Sequence, residues 1–197
     1  GTEQSCKAYV FLLQSTGAKP VKNIFTCKQV IIKYGAVTAV RVTLDKTERL
    51  WNCAMVKIFG CPMHWGVGNR GLTDSLDYFL SKYGDVQAEI INEETLAEAD
   101  LKNLKNLNSV IKTCENISES LSKCHADGFF PLFLGGDHSC AMGTISAAAR
   151  NYDDLGLIWI DAHPDINTHA TTGSGNLHGL PVAAMLGLGD RRLTDIG

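Results

Sequence analysis

Asp161, His163 and Asp165 recur at every second position of the run Leu157-Ile-Trp-Ile-Asp-Ala-His-Pro-Asp-Ile-Asn-Thr168. In an extended backbone, side chains at i, i+2 and i+4 point to one side. That spacing lets two carboxylates and an imidazole converge. Hard oxygen donors with one borderline nitrogen suit a divalent cation such as Mn²⁺ better than thiolate-seeking Cu(I). Each carboxylate has two oxygens and can bridge two cations, so the run could serve a paired-metal site. Taken alone, the pattern more often caps a helix or solvates a turn. Its neighbourhood alters that balance. His138, in Gly135-Gly-Asp-His-Ser139, also follows directly on a short apolar run, so two independent ligand candidates fall just after strands.

The elements that must hold these groups alternate between strand and helix. Apolar runs at 54–59, 86–91, 129–134 and 155–160 are predicted strands. A first helix carries Leu76, Phe79 and Leu80 behind the N-cap candidate Thr73 and stops at Gly84. Steps of three and four from Leu96 to Cys124 predict a long helix. Small residues from Cys140 to Ala149 predict a closely packed one, and a last helix covers 178–188 with Pro181 in its first turn. This rhythm argues for βαβ units in an α/β fold with a mainly parallel sheet, and for ligands beyond the carboxyl ends of its strands. Upstream, the β-rich runs 7–13, 29–34 and 37–44 carry no chemistry. Residues 1–50 are expected to be an N-terminal extension or edge strands, and 51–197 the catalytic domain.

A net charge of −3 gives no footprint for nucleic acid or an anionic membrane, so neither is an expected partner. With 45% apolar and 20% charged residues the composition is that of a soluble globular domain. Seven scattered cysteines without a CxxC pair suggest a reducing compartment and free thiols, mostly packed as small hydrophobes. Residues 1–44 hold five lysines and one arginine against the single acid Glu3. The segment is Lys-based rather than Arg-rich, so the cytoplasm is the expected location and the mitochondrion the alternative. The loop with Gly66, Gly68 and Gly71 lacks the order of a P-loop or dinucleotide fingerprint.

Four motifs in order carry a family resemblance: Phe133-Leu-Gly-Gly-Asp-His-Ser139, Ala141-Met-Gly-Thr-Ile-Ser146, the run from Leu157 to Thr168, and Ser174-Gly-Asn-Leu-His-Gly179. Over roughly Leu132 to Leu186 the chain resembles the arginase branch of the ureohydrolases. The resemblance implies a three-layer α-β-α domain, a pair of Mn²⁺ ions, and hydrolysis of L-arginine to L-ornithine and urea by a metal-bridged hydroxide. It implies His138 and Asp165 on one cation, His163 on the other, and Asp161 bridging both. His178 would be the proton shuttle, a role suited to an imidazole near neutral pH. Asn167 and Ser174 would hold the α-carboxylate, which distinguishes the chain from agmatinases. A homo-oligomer, trimer or hexamer, is also implied. His64, His125 and His169 are read as surface or loop histidines, Asp137 as an orienting or structural acid rather than a ligand, and Cys140 as a packing residue.

One departure stands out. The family pattern continues with a second acidic metal motif of D-x-D type and a later glutamate. Here the acids after Asp165 are Asp190 and Asp195, and no glutamate follows Glu119. The chain is therefore expected to be an N-terminal portion with poor metal affinity, inactive unless a partner complements it. Two other readings compete: a different ureohydrolase such as agmatinase, and a non-catalytic regulatory or structural subunit.

Overall fold

The structure, a computed structural model, describes residues 9–14, 32–33, 36–37, 56–82, 87–97, 101–153 and 155–196. The chain divides into two compact units, residues 16–54 and the remainder. In the smaller unit, β2 (Ile32–Lys33) and β3 (Ala36–Val37) form a short antiparallel pair. The rest of the predicted strands 29–34 and 37–44 lies outside the described residues.

The larger unit begins with β1 (Tyr9–Gln14), but its parallel sheet is built on β4 (Val56–Cys61). This strand is flanked by β5 (Glu89–Ile90) and β6 (Phe130–Gly135), both parallel to it. The register runs from Val56↔Phe130 to Cys61↔Gly135, so β4 and β6 finish level with one another. The strand outruns its predicted end because Gly60 and Cys61 still pair with β6 and are buried. The turns after the two strands then bond directly: Gly136 N–H donates to Cys61 O at 2.9 Å and Asp137 N–H to Met63 O at 2.8 Å. A side chain on residue 136 would collide with the Met63 backbone, which explains glycine there.

Helix α1 (Ser75–Lys82) lies after a 3₁₀ turn at Arg70–Leu72. Thr73 does not cap it; its hydroxyl donates to Arg70 O. Helix α2 (Leu107–Ala126) buries Val110, Cys114, Ile117, Leu121 and Cys124 of the predicted face, with Leu107 added and Ile111 only partly buried. It starts eleven residues later than the periodicity suggests. Asn106 sits in the left-handed region (φ 56°), which blocks extension of the helix towards the N-terminus. The residues before it serve α2 from outside: Glu94 N–H donates to Thr113 Oγ1 and Leu96 N–H to Ser109 Oγ. Leu104 reaches the core from a turn rather than a helix.

Helix α3 (Cys140–Asn151) packs tightly on α2, as its small residues predict. At the crossing, a Cβ on Gly143 would stand 2.5 Å from Cys114 O. Cys61, Cys114 and Cys140 are buried free thiols under the turn after β6. The Cys114 thiol lies 3.3 Å from Ser139 O, and burial pushes its pKa up. Cys61 and Cys140 share a hydrogen bond, which raises the Cys140 pKa further than burial alone.

β7 (Leu155–Ile160) pairs antiparallel with β1, from Tyr9↔Ile160 to Gln14↔Leu155. Among the described residues β7 has no pairing with β6. The strand–helix rhythm suggests that the two ligand-bearing strands adjoin; consecutive strands often do, but a crossover need not return to the next position. The predicted helix 178–188 resolves into a 3₁₀ turn at Leu177–Gly179 and α4 (Pro181–Met185), with Pro181 in its first turn. Gly187 (φ 76°) and Gly189 (φ 107°) then turn the chain into α5 (Arg191–Thr194). Asp190 caps α5, accepting from Arg192 N–H and from its guanidinium; those bonds bring its pKa to about 2.

Two outcomes test this packing. Gly143→Val should lower the denaturant midpoint by an amount equivalent to about 1–3 kcal/mol, because the Cys114 carbonyl is backbone and cannot yield. A carboxylate whose pKa is depressed on folding stabilises above its unfolded pKa and ceases to do so as pH falls through the folded one. The α5 cap should therefore weaken between about pH 4 and pH 2, and Asp190→Asn should remove that part of the acid-unfolding curve.

Candidate metal centre and the residues around it

Asp161 is the first residue beyond β7, and the chain bends there at once. Its Oδ1 accepts the His163 N–H at 2.9 Å, forming a tight turn. Asp165 then adopts φ 46°, a left-handed conformation that aspartate tolerates better than most residues. Its carbonyl accepts from Val182 N–H at 3.0 Å and Ala183 N–H at 3.4 Å, at the start of α4. The run is therefore folded back rather than extended, and the alternation argument does not hold through it. Asp161 and Asp165 both reach His138, whereas the His163 side chain is 78% exposed with Nδ1 3.6 Å from Asp161 Oδ1.

His138 is buried, its ring stacked on Trp159 at 4.1 Å and 17°. Nδ1 lies 2.8 Å from Asp161 Oδ2 and 2.7 Å from Asp165 Oδ2. At those distances a protonated ring would form two ion pairs. Yet neither contact has hydrogen-bond direction, and Nδ1 has no partner. Nδ1 and two carboxylate oxygens instead cluster, all three within 4.8 Å of one another. That spacing could hold a metal ion. The two carboxylates and one imidazole fit a hard divalent cation of the Mn²⁺ type.

The other residues singled out from the sequence surround this group. Asp137 is buried and grips three donors: Gly66 N–H on Oδ2 at 2.8 Å, with Ser139 N–H at 2.9 Å and the Ser139 hydroxyl both on Oδ1. Burial pushes its pKa up, and those bonds oppose the shift. His178 donates its backbone N–H to Gly66 O at 3.1 Å, and its Nδ1 lies 3.2 Å from the same oxygen. Asn167 is exposed; its N–H donates to Gly179 O and its Oδ1 accepts the Thr171 hydroxyl. Ser174 Oγ accepts from Asn176 N–H.

Of the three histidines read as surface or loop residues, His64 lies in a loop but is buried, and His125 lies in α2 and is half-buried. His64 is 5% exposed, with Nδ1 2.8 Å from Glu93 Oε1 and its N–H donating to Glu93 Oε2. His125 is half-buried against Tyr152, whose hydroxyl lies 3.0 Å from Nδ1, and burial lowers its pKa. Only His169 is exposed as expected. A cavity of about 340 Å³ lined by His64, Trp65, Arg70, Thr73, Glu93 and Thr95 holds none of the candidate ligands. The candidate ligands cluster instead around His138. Sequence reasoning missed Gly66 as the anchor of His178; its glycine-rich loop was the available signal, but phosphate motifs were the wrong standard for it.

The geometry yields a binding prediction. His138→Ala and Asp165→Asn should each weaken Mn²⁺ binding by at least the roughly tenfold that loss of an outer partner costs, read from free Mn²⁺ by electron paramagnetic resonance. His163→Ala should change it less, because that ring faces solvent.

Comparison with known proteins gives a consistent result. The Arginase family pattern matches residues 54–197. The arginases of Bacillus subtilis and Bacillus caldovelox are 37% and 39% identical to the chain over 72% of its length. The match covers 51% and 52% of those proteins, so the chain spans about half the length of these relatives. The solved Bacillus caldovelox arginase superposes with a TM-score of 0.62 at 37% identity, covering 74% of this chain and 53% of that one. The Entamoeba histolytica arginase, solved in complex with L-ornithine, gives 0.60 at 29% identity, covering 72% and 52%. With nearly three quarters of its residues inside the matched region, this chain belongs to the arginase family, with that family's three-layer α/β fold.

Proposed function

We propose that the chain supplies the His138, Asp161 and Asp165 metal ligands, the proton shuttle and the carboxylate-binding residues of an enzyme that hydrolyses L-arginine to L-ornithine and urea. The observation that carries this reading is the clustering of His138 Nδ1 with the Asp161 and Asp165 carboxylates, at 2.8 and 2.7 Å. When bound, a Mn²⁺ pair supplies a nucleophile from water near neutral pH. The protein's part is to hold the ligands, place the amino acid and deliver a proton.

Cleavage of a guanidinium expels an amine, which must leave protonated. A carbonyl oxygen only accepts, so the contact with Gly66 O keeps hydrogen on His178 Nδ1. Nε2 is left to take and give the proton. Thr171 occupies the Asn167 carbonyl oxygen and Asn176 N–H occupies a lone pair of Ser174. The Asn167 NH₂ and the Ser174 O–H remain as donors for a carboxylate, a group that agmatine lacks. L-ornithine in the Entamoeba histolytica relative supports the same substrate class.

The ligands that converge suffice for one cation. Asp190 is committed to Arg192, and Asp195 lies 3.8 Å from Arg191. We therefore expect this chain alone to bind Mn²⁺ weakly and not to turn over. The test is urea and ornithine release from L-arginine with Mn²⁺, agmatine serving as control. It is run on the chain alone and on the chain co-expressed with the C-terminal half of the Bacillus subtilis arginase. Turnover of L-arginine in the second case only is the expected result, and His178→Asn should lower it by about 10²–10⁴. Faster turnover of agmatine, or robust turnover by the chain alone, overturns the reading. Absence of Mn²⁺ binding in both cases favours the non-catalytic subunit, for which the solvent-facing His163 also speaks.

A further inference from the structure

We infer that Asp137 is a positioning residue for His178, acting through Gly66, so that the metal-ligand turn sets which nitrogen of the shuttle carries hydrogen; this rests on the shuttle reading of His178. Three segments far apart in sequence meet at one glycine. Asp137 Oδ2 accepts the Gly66 N–H at 2.8 Å. The Gly66 carbonyl, on the other side of the same α-carbon, takes both the His178 N–H and the His178 Nδ1 contact. Gly66 is thus held by the residue beside His138 and in turn holds His178.

Two features make the link specific rather than incidental. Asp137 is 2% exposed, and its carboxylate has no other office: each of its described partners belongs to Gly66 or Ser139. Position 66 also admits only glycine in this arrangement, because a Cβ there would collide with the Asp137 carboxylate and the Ser139 hydroxyl. Rotating the Gly66 carbonyl away would remove the acceptor that selects Nδ1–H. A neutral imidazole freed in this way can carry its hydrogen on either nitrogen, and an Nε2–H ring has lost the lone pair that accepts the proton.

The test reads the tautomer directly. Long-range ¹H–¹⁵N spectra of the labelled chain should show His178 with a protonated Nδ1 and a bare Nε2. Asp137→Asn leaves one amide oxygen for donors that had two, and His178 should shift to a mixture of tautomers while His125 does not move. Gly66→Ala breaks the link from the other side and should give the same shift, so the inference stays testable if one variant fails to fold. Ser139→Ala keeps the Gly66 bond and should leave His178 unchanged. In the complemented enzyme, Asp137→Asn should lower kcat about tenfold with little change in KM. An unaltered His178 tautomer in folded Asp137→Asn or Gly66→Ala protein overturns the inference. Should the arginine reaction itself be wrong, only the turnover result is lost and the tautomer shift persists.

Discussion

The close approach of two backbone turns governs everything around the site. Because β4 and β6 finish level, the turns that follow can bond amide to carbonyl, and Gly136 leaves no side chain to keep them apart. That contact places Asp137 against Gly66 and His138 against the turn after β7. No single element creates the site. It exists where three strand ends are brought to one place, and a side chain at residue 136 would undo all of it at once.

The arrangement is electrostatically demanding. Two carboxylates and an imidazole stand within hydrogen-bonding distance without the directions that hydrogen bonds need. Burying ionised groups is costly unless each is paired or coordinated. The surrounding structure bears that cost through fixed geometry: Trp159 covers the His138 ring, and α4 is anchored on the Asp165 carbonyl. The left-handed backbone at Asp165 belongs to the same bargain, since it lets one residue present its carboxylate inward and its carbonyl to a helix start.

Much of this was readable from residue order. The spacing on α2, the small residues of α3 and the strand ends at Gly135 and Ile160 are local patterns that packing preserved. Three things were not. Helix α2 begins late because a single left-handed residue, Asn106, overrides a periodicity that Leu101 and Leu104 continue. His163 turns outward because Asp161 captures its amide, and a period of two cannot anticipate a turn. His64 is buried by a carboxylate 29 residues away, which no local window contains. Long-range pairings of this kind are the part of a site that a linear pattern leaves blank, and here they include the link from Asp137 to His178.

The sulfur beneath the site has a consequence of its own. Cys114 and Cys140 hold their protons far above physiological pH, being buried and, for Cys140, bonded to Cys61. A thiol reacts with electrophiles, oxidants and soft metals through its anion. Cys114 and Cys140 can therefore lie beneath the His138 cluster as thiols that are slow to meet soft metals or alkylating agents. Their dormancy comes from a sulfur–sulfur hydrogen bond at Cys140 and from burial at both, not from leaving sulfur out of the core.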